Sequence, residues 1–272
     1  LDHFPNLVTV VSEDDTTPTS KMIPVRKIRA VELGSGLGRC GLLLHHLLGM
    51  QDTIGSHVYL TDGDTDTLAQ LRDNVIDNTN RNGRAESVAS AENDDKDNDD
   101  KNSKARHHSA LHDVSCHQLL WGRDSTAAFC ESHFSNPSVG ESFDASNNTD
   151  FDNQHSDKHM ARNGVDLVFG SDLIYAPRVI GPLFETVSTL LKHGYGTNRC
   201  HLPQNEDITS ATTHTTPIFL MAHSDRRKGS SVTLNMVLEG AENAGLELEI
   251  LQTKEREGIY IIAFRAQQPT ND

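Results

Sequence analysis

The sequence predicts an α/β fold: a mostly parallel sheet with helices on both faces and an antiparallel hairpin at one edge. Three observations predict it. Short apolar runs alternate with amphipathic stretches along the 272 residues, the mark of repeated strand–helix units. The first run, Ala30-Val31-Glu32-Leu33, passes directly into a glycine-rich turn, Gly34-Ser35-Gly36-Leu37-Gly38. The last two runs, 246–251 and 259–264, are separated by a turn around 255–258, too short to carry a crossover helix.

The elements follow in order. Residues 28–33 read as the first strand and 38–48 as a helix. Residues 57–61 (HVYLT) read as the second strand. Leu68, Leu71, Val75 and Ile76 then give 65–78 one apolar helical face. Residues 114–120 make a third strand. The run 165–170 (VDLVFG) is short and apolar, as central parallel strands are. Helix 179–191, strand 217–222 (PIFLMA) and helix 232–243, stopped at Gly245, come next. The two closing strands end in the β-forming YIIAF.

Between these elements lie three stretches rich in Asn, Asp, Ser, Thr and His: about 82–113, 134–164 and 196–216. They carry −7 of the formal charge of −15. They lack the apolar residues that offset ordering entropy, so they read as disordered insertions in a single domain spanning 28–265. Residues 266–272 read as a tail. The chain begins at Leu1, so 1–27 are expected to be an N-terminal extension, trimmed at its start.

An acidic chain disfavours non-specific contact with a phosphate backbone and suits a basic partner. Cys40, Cys116, Cys130 and Cys200 form no C-x-x-C pair and read as reduced thiols. No apolar run reaches the length of a membrane span. These features predict a cytoplasmic or nuclear protein that avoids membranes. Arg106-His107-His108 lacks metal-ligand spacing, so no metal site is expected.

The glycine turn is the strongest chemical signal. Glycines tolerate φ > 0 and let a ligand lie against bare backbone, with the N–H groups of the next helix facing it. Gly36-Leu37-Gly38-Arg39-Cys40-Gly41 also matches the dinucleotide pattern G-x-G-x-x-G. Two features argue against a dinucleotide. The match falls one step late, because the first turn glycine is Gly34. Glu32 would also repel a pyrophosphate, whereas it suits a cationic amino group.

Three further strand ends carry chemistry. Thr61-Asp62-Gly63-Asp64 closes the second strand; Asp62 can accept two ribose hydroxyls, while Asp64 better fits a helix cap. Leu120-Trp121-Gly122 holds the only tryptophan, either a wall for a purine or a core residue. Ser171-Asp172-Leu173-Ile174-Tyr175 follows the fourth strand at the carboxyl end of the sheet. Open α/β folds place their ligands there.

With these four motifs in order, the chain resembles class I methyltransferases, and more narrowly methyltransferase family 16, which contains many protein-lysine methyltransferases. The resemblance covers roughly 28–80, 114–123, 165–193 and 217–265. It implies a seven-stranded Rossmann-like fold and S-adenosyl-L-methionine as cofactor. In such a fold the turn of Glu32, Gly34, Ser35, Gly36 and Gly38 holds the methionine part. Asp62 holds the ribose and Trp121 lies near the adenine. Asp172 and Tyr175 border the cofactor amino group and the incoming lysine, and so are the expected catalytic residues. Base- and glutamine-methylating relatives commonly carry N-P-P-Y where this chain has D-L-I-Y. The implied activity is protein-lysine N-methylation by a monomer, with a lysine-bearing protein as substrate and nucleic acid disfavoured. The alternatives are a methyltransferase for a small molecule or nucleic acid, and a non-catalytic cofactor-binding adaptor. The chain departs from the pattern in residues 1–27, which hold no tryptophan.

Overall fold

The computed structural model describes residues 27–51, 55–89, 112–134, 164–196, 216–225 and 231–267. Most of the three polar stretches, nearly all of the N-terminal extension and the tail lie outside the described residues. So do His107, His108 and Cys200.

Seven strands form one sheet: β1 (Lys27–Glu32), β2 (Gly55–Asp62), β3 (His112–Gln118), β4 (Leu167–Ser171), β5 (Ile218–Ser224), β6 (Leu246–Lys254) and β7 (Ile259–Ala266). Their spatial order is β3-β2-β1-β4-β5-β7-β6. β1 to β5 pair in parallel, and β7 alone runs the other way between β5 and β6. This is the expected sheet, with the hairpin at its edge. The chain starts in the middle at β1, moves outward through β2 and β3, then returns to β4 on the other side of β1. That reversal opens a crevice between the carboxyl ends of β1 and β4.

Among the described residues, five α-helices flank the sheet: α1 (Arg39–Gly49), α2 (Thr65–Ala89), α3 (Arg123–Phe134), α4 (Ile180–Gly196) and α5 (Leu234–Asn243). α1 and α2 cover one face. There Leu42, Leu68 and Leu71 pack on Ala30, Val58 and Leu60. α3, α4 and α5 cover the other, where Phe134, Leu183, Phe184 and Val237 pack among Val31, Val168, Phe219 and Phe264. Burying each such side chain contributes about 1.5–3 kcal/mol.

The structure departs from the sequence expectation at several edges. α2 continues through Ala89, into the stretch read as an insertion from 82, and β3 begins at His112, inside its other end. α3 was not expected, because its polar residues mask the pattern. Yet Thr126, Phe129, Cys130 and Phe134 are its buried residues, at spacings of one helical face. The helix expected from 179 starts as a 3-10 turn, Pro177–Val179, because proline presets φ for a first turn.

Edge strand β6 is exposed at every residue after Leu246. A register irregularity between Ile250 and Gln252, together with Glu247, Glu249 and Lys254, blunts it against pairing with another chain.

Candidate active site

The glycine turn after β1 is built as its composition demands. Gly34, Gly36 and Gly38 have φ of 59°, 53° and 78°, in the left-handed region. A Cβ on Gly34 would stand 2.9 Å from Leu173 Cδ2 and 3.5 Å from Trp121 Cζ2, so the missing side chain leaves room in the crevice. A Cβ on Gly41 would collide with Leu60 and meet Glu32 Oε2 at 2.5 Å. The last glycine of the apparent G-x-G-x-x-G therefore serves close packing of α1 on the sheet.

Glu32 is 3% exposed and lies beneath the turn, not in the crevice. Its Oε2 accepts the Gly41 N–H at 3.2 Å. Burial pushes its carboxyl up to about 7, against the hydrogen bonds of Ser35 and Gly41, and Asp62 adds to the rise. Ser35 is also buried, and ties the turn to β2: its Oγ accepts the Thr61 N–H at 2.9 Å and its N–H donates to Thr61 O at 2.8 Å.

Asp62 ends β2 half-buried. Its Oδ2 accepts the Gly36 N–H at 3.0 Å and its Oδ1 accepts the Asp64 N–H at 3.0 Å. Each oxygen keeps a lone pair for a further donor. Asp64 caps α2, accepting the Thr67 N–H at 2.7 Å, and that bond holds its carboxyl below the usual range.

Trp121 follows β3 and is half-buried against the core. The turn at Gly122 (φ 134°) is pinned to α4. The Gly122 N–H donates to Thr186 Oγ1 at 2.8 Å, and Thr126 Oγ1 donates to Gly122 O at 2.7 Å. The fully buried Thr126 and Thr186 thus fix where the indole stands.

Asp172 follows β4 with φ of 55°, the only positive φ at a non-glycine among the described residues. Asp tolerates this better than most residues, and such positions cluster at functional sites. Leu173, 4% exposed, fills the space beside Gly34 and Gly170, and Tyr175 stands at the rim, 55% exposed.

Gly34, Asp62, Trp121, Asp172 and Tyr175 line one cleft of about 660 Å³, a volume suited to a cofactor-sized ligand. Glu32, Ser35, Gly36 and Gly38 support it from below and are not among its lining residues. Sequence reasoning missed Leu119, Leu173, Arg178, Val179 and Pro182, which with Gly63 and Asp64 complete its walls. Leu173 carried a faint signal, as an apolar residue between Asp172 and Tyr175. The pieces suit a ligand with a planar base, a sugar diol and a cationic end: Trp121 and Leu119 offer apolar walls, Asp62 an acceptor pair, and Asp172 a carboxylate.

The strand order and the cleft at its reversal define the seven-stranded Rossmann-like fold of class I methyltransferases. No family model and no curated protein matches the chain. Among solved structures it is similar to the rRNA methyltransferase aviRa from Streptomyces viridochromogenes. There the identity is 10%, with 89% of this chain and 77% of that one covered and a TM-score of 0.42. The METTL16 MTase domain matches at 11% identity, 92% and 63% coverage and a TM-score of 0.37. LepI in complex with SAM matches at 12% identity, 92% and 45% coverage and a TM-score of 0.40. The chain thus spans less than half the length of LepI. These likenesses concern the fold alone.

Proposed function

We propose that the chain is an S-adenosylmethionine-dependent methyltransferase whose acceptor is a lysine side chain of a protein. The observation that carries this reading is the meeting of Gly34, Asp62, Trp121, Asp172 and Tyr175, from four separate strand ends, in one cleft. When bound, the cofactor supplies a methyl group on a sulfonium, so little covalent chemistry is left to the protein. The chain's own residues position and desolvate the partners.

Asp62 accepts the ribose hydroxyls while its existing bonds hold the glycine turn in shape. Trp121 lines the base. Gly34 leaves room for the methionine part, and Glu32 braces the turn against α1. Asp172 attracts the cationic amine of the arriving lysine, and Tyr175 flanks its entry. A free lysine has a pKa of about 10.4 and must lose a proton before it attacks. Exclusion of water at the cleft floor lowers that pKa, and Asp172 orients the N–H bonds. The acidic surface and D-L-I-Y motif favour a lysine-bearing partner over a nucleic acid.

Calorimetry of the full chain with S-adenosylhomocysteine tests the cofactor; absence of a binding heat sinks the reading. Transfer of radiolabelled methyl groups into cell extract tests the acceptor. Label removed by protease supports a protein; label removed by nuclease, or found in small molecules, moves the acceptor to another class. Asp172→Ala is expected to lower transfer about 100-fold or more while S-adenosylhomocysteine still binds. Retained transfer would remove Asp172 from the chemistry.

A further inference from the structure

Arg178 is the only basic side chain among the described residues that line the cleft, where Asp62, Asp64 and Asp172 supply three carboxylates. It sits in the 3-10 turn Pro177–Val179, just after the D-L-I-Y segment. That turn is held on both sides of it. The Val179 N–H donates to Ala176 O at 3.2 Å, and the Ile180 N–H donates to Pro177 O. Val179 packs against the core, and Ile180, itself buried, seats on α5 where Gly240 leaves room for it. Arg178 is exposed, so the core does not need its side chain.

A guanidinium sharing a cavity with carboxylates ordinarily pairs with one of them. Among the described residues, Arg178 makes no hydrogen bond or ion pair. Asp62 and Asp64 are turned instead to backbone N–H groups, those of Gly36, Asp64 and Thr67. The cleft rim thus carries a cation that its own carboxylates leave unused, on the same chain segment as Asp172. A guanidinium is a permanent cation whose planar fork of donors matches a carboxylate. Asp172 and Arg178 together present a negative and a positive group to whatever enters. That pair is complementary to an acceptor with an amine and a nearby carboxylate. A polyanion such as a nucleic acid would meet three carboxylates for one cation and is disfavoured.

We propose that Arg178 is a specificity-determining residue: its guanidinium pairs with a carboxylate side chain flanking the acceptor lysine, so that lysines beside an acidic residue are methylated in preference to others. A cavity of about 660 Å³ is roughly 9 Å across, and an extended chain rises about 3.3–3.6 Å per residue. The carboxylate therefore belongs within about three residues of the lysine. The proposal rests on the lysine-methylating reading above and names the acceptor class of that same site.

The test uses the full chain with labelled cofactor in cell extract, followed by sequencing of the methyl-lysine sites. Wild type is expected to give sites enriched in Asp and Glu near the lysine. Arg178→Gln should lose that enrichment, and Arg178→Glu should shift it toward Lys and Arg. A peptide copied from one labelled site gives the second measurement. Replacing its acidic residue by the matching amide should lower kcat/KM about tenfold with wild type and less than about twofold with Arg178→Gln. Affinity for S-adenosylhomocysteine should stay within about twofold in Arg178→Gln by calorimetry, since the contact is made to the acceptor. If wild type labels no lysine, the lysine reading fails and the proposal with it. If lysines are labelled with no acidic preference, or with the same preference in Arg178→Glu, the proposal alone fails. A tenfold loss of S-adenosylhomocysteine affinity in Arg178→Gln also overturns it, because the guanidinium would then serve the cofactor's own carboxylate.

Discussion

The cleft between β1 and β4 and the histidine–aromatic patch on β2 and β3 both gather polar side chains on the same sheet. They use them in opposite ways. In the patch, His57 and His117 each share a hydrogen bond with Ser115 Oγ, at 2.7 and 2.8 Å. His57 stacks on Tyr59 at 4.0 Å, and His117 meets His133 at 4.2 Å, with Phe129 and Phe134 closing the group. Every ring is filled by another ring. In the cleft, the glycines at positive φ and the left-handed Asp172 keep space open, and the carboxylates face it. Polar content is thus a poor guide to a site. What separates the two is backbone conformation: the patch sits on regular strand, the cleft on turns.

The largest effect is expected where a side chain is forced into the open region. Gly34→Val puts a branched residue at φ 59° against Leu173 and Trp121. S-adenosylhomocysteine affinity should fall at least 100-fold, about 2.7 kcal/mol, by calorimetry. Affinity within a few-fold of wild type would place the ligand elsewhere.

A smaller effect is expected at the fastening between the two regions. Thr186→Val removes the acceptor of the Gly122 N–H. Stability should fall on the order of 1 kcal/mol in urea, and the fluorescence of the single tryptophan, Trp121, should shift as its turn loosens. An unchanged emission maximum would show that other contacts hold the indole.

The smallest and most diagnostic effect is a difference in pH sign. Burial pushes His57 and His117 down to about 4 from an ordinary 6.5. Between those values the unfolded chain binds more protons than the native one. Their contribution is therefore full above about 6.5 and is lost as pH falls toward 4. Glu32 is raised from 4.5 to about 7, so there the native state binds more protons. It costs stability as pH rises from about 4.5 to 7. Glu32→Gln should therefore make the urea midpoint climb more steeply between about pH 5 and about pH 7 than in wild type. A parallel or shallower climb would contradict the protonated, buried Glu32.

Much of this was legible in the chain. Alternating apolar runs place all seven strands, and the short turn before β7 gives the edge hairpin. What was hidden has physical reasons. α3 hides because Asp124, Glu131 and His133 share its short length with its buried face. The histidine patch hides because its members come from β2, β3 and α3, and only strand pairing brings their rings together.

The sequence by itself determined the glycine turn, the acids at the ends of β2 and β4, and the tryptophan after β3. These depend on residue type and local chain direction, both of which a sequence carries. The tertiary structure alone decided which of them face the cleft. It turned Glu32 under the turn, because Gly41 lacks a side chain and its N–H needs an acceptor. It also fastened the Asp172 N–H to Ala222 O of β5, because the register of β4 on β5 is fixed by packing across the whole sheet and by no local pattern.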